Sequence, residues 1–132
     1  MKKFTYGMLT ATFMAAGLAG AAFAQTGTIK DGVYTAEQAE AGQPVYEQRC
    51  SACHNADFYK TALSNRNNQP LLYLFEEILG TMPADMPGSL TDQEYQQVLA
   101  HILQITGFPA GDTELDYYSG SMESIRIVPP ES

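Results

Sequence analysis

Two cysteines and a histidine stand together in Cys50-Ser51-Ala52-Cys53-His54, and the chain has no other cysteine. Thiols three residues apart on one turn of helix can reach the vinyl groups on neighbouring pyrrole rings of a haem and form a thioether with each. A histidine directly after the second thiol can then bring an imidazole nitrogen to the iron. Three other chemistries use paired thiols. A Cys-x-x-Cys redox couple normally follows a strand in an α/β pattern, and none is visible here. Structural zinc wants four ligands; His101 is the one further nitrogen or sulfur ligand of that type, and His54 directly beside Cys53 is awkward spacing. A bare Cys50–Cys53 disulfide leaves His54 unexplained, and two adjacent thiols are not the spread framework that staples small secreted domains. One covalently attached haem c, with His54 on its iron, is the expected cofactor.

An electron-transfer haem needs a second axial ligand, and methionine there raises the reduction potential relative to a second histidine. Met1, Met8, Met14 and Met122 have no useful context. Met82 and Met86 both lie in a proline-rich segment, 82–88, where a loop can aim a thioether at an iron held from the other face. Met82 is the expected ligand and Met86 the alternative, since both are followed by proline. His101, beside the apolar face of the last long helix, is expected as a helix-interface histidine rather than a ligand. No nucleophile, general base or substrate constellation appears, so an enzyme activity is not expected.

The elements that must position these groups read as helices. Thr35-Ala36-Glu37-Gln38 has the form of a capping box and opens a helix to about Arg49 or Cys50, with Pro44 predicting a break or kink inside it. Gly42 and Tyr46 stand one turn apart on one face. Residues 54–69 carry few periodic signals, and Ser64–Asn68 reads as a loop. Pro70 suits the first turn of a second helix bearing Leu71, Leu72, Leu74, Phe75, Ile78 and Leu79, with Gly80 as its stop. Thr91-Asp92-Gln93-Glu94 is a second capping box. It starts an amphipathic helix with Tyr95, Val98, Leu99, Ile102 and Leu103 at helical spacing, ended by Gly107 and Pro109. A loose polar arm is expected before Tyr34, and the tail 110–132 is expected to lie across the surface. The fold class is all-α.

Lys2 and Lys3, an apolar stretch from about Met8 to Phe23, and Ala22-Phe23-Ala24 make a secretory leader cleaved after Ala24. The retained-anchor reading is disfavoured by Thr10, Thr12, Gly17 and Gly20 within that stretch, so no membrane span is expected after cleavage. Export suits the haem reading, because bacterial c-type haem is attached outside the cytoplasm. Loss of the leader leaves 5 basic against 15 acidic residues, a balance of −10. Nucleic acid is excluded as a partner, since phosphates need a basic patch. An acidic surface suits partners with a basic docking patch, and equally serves solubility alone.

With these residues in place the chain resembles the class I monohaem cytochrome c family over about Thr35 to Gly107. The resemblance is carried by the haem pentapeptide, by Gly42 and Tyr46, by Met82-Pro83, and by Val98-Leu99-Ala100-His101-Ile102-Leu103 in the last helix. It implies a small helical domain wrapped around one haem, with the first and last helices crossing at the Gly42 position and iron held at the His54 and Met82 positions. Met82 to Leu90 together with Gly107-Phe108-Pro109-Ala110-Gly111 looks nearest to cytochromes associated with quinoprotein (PQQ) dehydrogenases. His101 replaces the usual aromatic at the crossing. The common proline loop after the haem histidine is also replaced, by Asn55-Ala56-Asp57-Phe58, leaving open what accepts the hydrogen bond from the second nitrogen of His54. The expected organisation is a signal peptide at 1–24, an N-terminal arm at 25–34, a cytochrome c domain at 35–107 and a C-terminal extension at 108–132 packed on it. The expected function is periplasmic one-electron transfer between a dehydrogenase and a respiratory acceptor. The alternative is a haem c gas sensor or peroxidase-like protein with an open iron position.

Overall fold

A computed structural model describes residues 27–131, and the expected leader and first arm residues lie outside that range. The elements run β1 (Gly27–Thr28), α1 (Ala36–Arg49), α2 (Ala56–Ser64), α3 (Leu71–Thr81), α4 (Asp92–Ile105), α5 (Ser121–Ser124) and β2 (Ile125–Arg126). The fold is all-α apart from the two short strands. No helix among the described residues is long and apolar enough to cross a membrane.

The crossing of α1 and α4 is the principal packing in the molecule. Gly42 makes it possible: a Cβ built there would lie 2.0 Å from the carbonyl oxygen of Gln97. Only a residue without a side chain lets the two backbones meet. α1 runs without a break through Pro44, where a break or kink is expected. Pro44 is exposed, so the Glu40 carbonyl that loses its partner can turn to water instead.

The two capping boxes turn out differently. At α4 the Thr91 hydroxyl accepts from the Glu94 N–H (3.2 Å), and the Glu94 carboxylate accepts from the Thr91 N–H (2.7 Å). At α1 Thr35 accepts from the Gln38 N–H (3.1 Å), but the Gln38 side chain does not turn back. It reaches the tail instead, donating to the Leu115 carbonyl (2.8 Å) and accepting from the Leu115 N–H (2.9 Å).

That pairing is one sign that the two ends of the chain belong to the core. The segment before Tyr34 is not a loose arm. Gly27–Thr28 pairs in parallel with Ile125–Arg126, and Ile29 and Tyr34 are buried. These apolar anchors outweigh the polar composition around them. The tail likewise enters the interior: Leu115, Met122, Ile125 and Ile127 join Leu71 and Phe75 of α3 and Leu99 and Leu103 of α4 in one cluster. Each such side chain contributes roughly 1.5–3 kcal/mol by leaving water. A second, smaller cluster joins Tyr46, Tyr59, Val98 and Ile102 on the other side of α4.

α3 passes through Gly80 to Thr81, one residue beyond the expected stop. What ends it is Pro83, which disfavours helical backbone in the residue before it; Met82 is extended (φ −120°, ψ 153°). Gly107, at φ +95°, and the following Phe108-Pro109 close α4 as anticipated.

Candidate functional site

The pentapeptide forms a hydrogen-bonded turn that continues directly from α1. The Cys50 and Ser51 N–H groups both donate to the Tyr46 carbonyl (2.9 Å each), and the Cys53 and His54 N–H groups donate to the Cys50 carbonyl (3.1 and 3.0 Å). The turn is tied back to the helix by the Tyr46 hydroxyl, which donates to the His54 carbonyl (2.9 Å). Both thiols are free, Cys53 exposed and Cys50 half-buried, and burial pushes the Cys50 thiol above its ordinary pKa against the opposing pull of Arg49.

Immediately afterwards Asn55 caps α2, its side-chain oxygen accepting from the Phe58 N–H (2.9 Å). This helix had no clear signature in the sequence. It brings Phe58, Tyr59 and Ala62 to the same place as the turn, and Arg66 follows just after its end. Asn55 as a cap, with Asp57 in the first turn and Tyr59 four residues before Leu63, was the available signal.

A cavity of about 440 Å³ opens between the turn, α2, α3 and α4. Cys50, Cys53, His54 and Met82 all line it, over a floor of Leu74, Ile78, Val98 and Ile102. Its volume lies in the range of cofactor pockets, roughly 300–1,000 Å³. Met82 arrives there from the end of α3. Its N–H donates to the Ile78 carbonyl (2.9 Å), its own carbonyl accepts from the Tyr95 hydroxyl (2.6 Å), and the Met82–Pro83 peptide is cis. Met86 is 58 % exposed and does not line the cavity. Arg49 links the turn to the 82–90 loop through Asp85 (3.6 Å) and Ser89 (3.4 Å), while Arg66 pairs with Glu77 across the mouth (2.5 Å).

His101 lies elsewhere. It is buried at the α1–α4 crossing, its ring centroid 4.9 Å from that of Tyr46, and it does not line the cavity. Burial holds its pKa below the ordinary 6.5, with the Ala39 carbonyl and the Glu47 carboxylate pulling the other way. The Nδ1 atoms of His54 and His101 are both buried without a hydrogen-bond partner.

The donor set fits a covalent haem. Two free thiols and an imidazole rise from one turn beside an apolar cavity of suitable size, and the Nδ1 of that imidazole is buried without a hydrogen-bond partner. Among the described residues no group of three or more His, Cys, Asp or Glu is gathered to hold a metal ion, so the thiols have no cluster of the kind structural zinc uses. The model of one protein family, described as cytochrome c oxidase, cbb3-type, subunit III, matches residues 37–102, half of the 132-residue chain. The chain belongs to this c-type cytochrome family. No curated protein and no solved structure matches it significantly. The match extends from the first turn of α1 to the cavity-lining Ile102, taking in the whole pentapeptide and Met82. The cofactor of such a domain is a covalently bound haem c, with Cys50-x-x-Cys53-His54 spaced as its attachment motif, and its chemistry is electron transfer.

Proposed function

We propose that this cytochrome is a periplasmic one-electron carrier, or the electron-transfer subunit of a dehydrogenase, with iron ligated by His54 and Met82. The observation that carries the reading is the single cavity lined by both thiols, the imidazole and the Met82 thioether, with Met86 outside it. Haem, when bound, supplies a one-electron couple; everything else is done by the chain. Cys50 and Cys53 anchor the group. Tyr46 fixes the backbone at His54, and Tyr95 fixes it at Met82, so neither ligand has to be ordered anew with each electron. Leu74, Ile78, Val98 and Ile102 keep water from the interior face, which favours the less charged, reduced state.

The leader-like first 24 residues support export. The acidic surface supports a partner with a basic docking patch, such as a periplasmic dehydrogenase, a quinoprotein enzyme among them, or a respiratory acceptor. Carbon monoxide tests the carrier reading. A reduced protein with both axial positions filled from the chain binds it slowly, and Met82→Ala binds it fast. Equally fast binding by the unmodified protein would favour a gas sensor or peroxidase with an open iron position.

A further inference from the structure

His54 is held at both of its backbone polar atoms: its N–H donates to Cys50 (3.0 Å) and its carbonyl accepts from Tyr46 (2.9 Å). The side chain is held differently. Nδ1 is buried without an acceptor, and the nearest carboxamide in sequence, Asn55, is occupied in capping α2. What does contact the ring is aromatic. Phe58 stacks on it with centroids 4.1 Å apart and planes 25° from parallel, and Tyr59 meets it edge-on at 5.7 Å. Phe58 and Tyr59 in turn meet at 5.2 Å and 83°, so the two rings form a right-angled corner around the imidazole.

Haem-ligating and other metal-ligating histidines usually donate their second N–H to a carbonyl or carboxylate, which fixes the ring plane and raises its basicity. Here neither service comes from an acceptor. We propose that Phe58 is a positioning residue for the iron ligand: its ring sets the plane of the His54 imidazole and keeps water from Nδ1. The proposal rests on His54 being the ligand. It has an electronic consequence. An imidazole whose Nδ1–H has no acceptor gives less electron density to iron, and so favours the reduced state. Phe58 is 49 % exposed, so shortening it leaves no internal cavity and the domain keeps its fold.

The test uses the haem-loaded protein and the variants Phe58→Ala, Phe58→Leu, Phe58→Tyr and His54→Ala. Loss of the ring in Phe58→Ala and Phe58→Leu admits water as an acceptor for Nδ1. The oxidised-to-reduced ratio at a fixed ambient potential should then rise on the order of tenfold, a drop of about 59 mV for one electron. The order of the haem methyl proton shifts in the oxidised protein, which follows the imidazole plane, should also change. Phe58→Tyr keeps the stack and should keep both parent values. Parent potential and parent methyl order in Phe58→Ala and Phe58→Leu would overturn the proposal, as would a shift in Phe58→Tyr as large as that in Phe58→Ala. His54→Ala tests the underlying assignment separately: if its low-spin spectrum matches the parent's, His54 is not the ligand, whatever the Phe58 variants do.

Discussion

The two sides of α4 are finished in different ways. On one side Leu99 and Leu103 meet α3, the residues before α1 and the tail, and the chain closes that core by itself. On the other Val98 and Ile102 cluster with Tyr46 and Tyr59, and then border the cavity. The first side is stabilised by polypeptide packing; the second is organised to receive a large apolar group. A short chain buries a limited area by itself, so the difference shows where the cofactor's contribution falls. It follows that the two sides should respond separately to mutation, except where one substitution reaches both.

Gly42→Val is that exception. A side chain at 2.0 Å from the Gln97 carbonyl forces α1 from α4, and α1 carries Cys50 at its end. A loss of about 3 kcal/mol or more is expected in urea unfolding, together with a lower yield of attached haem; an unchanged midpoint would show that the crossing tolerates separation. Met122→Ala acts on the closed side alone. Met122 is fully buried, and its truncation should cost about 2–3 kcal/mol with the visible spectrum intact. A spectral change there would break the separation of the two sides. Gln38→Ala is gentler. It leaves the buried N–H and carbonyl of Leu115 unpaired, for about 1–2 kcal/mol, and should speed proteolysis of the tail before any loss of haem absorbance.

The smallest effect lies at the boundary between the sides. Because burial holds His101 below 6.5, the unfolded chain takes up its proton first as the pH falls. The contribution to stability is complete above pH 6.5 and is lost as the pH drops towards the lower, folded-state pKa. Melting temperature should therefore decline less steeply on acidification in His101→Gln than in the parent. Parallel declines would remove His101 from the account.

These outcomes also measure how much of the molecule could be read in advance. Thr91 and Glu94 cap α4 as their spacing implies because both partners lie within one turn. Gln38 has the same spacing from Thr35, yet its side chain prefers Leu115, 77 residues away, and no local pattern carries that choice. α2 escaped notice because its nine residues bury only Tyr59 and Leu63, too few for a period to emerge. Its cost was the loss of Phe58 and Tyr59 from the expected site. The pentapeptide was legible because its chemistry is local. Met82 and Met86 share the same following proline, and the fold places them differently: Met82 follows the last turn of α3 and is tied by Tyr95, while Met86 is turned outward.

That separation offers the most direct test of the central claim, that one cavity unites the two thioether anchors, His54 and the Met82 sulfur about a single iron. The oxidised protein should show the weak absorption at the red end of the spectrum that reports iron–sulfur ligation. Met82→Ala should abolish it and Met86→Ala should leave it in place. Retention in Met82→Ala with loss in Met86→Ala would contradict the account.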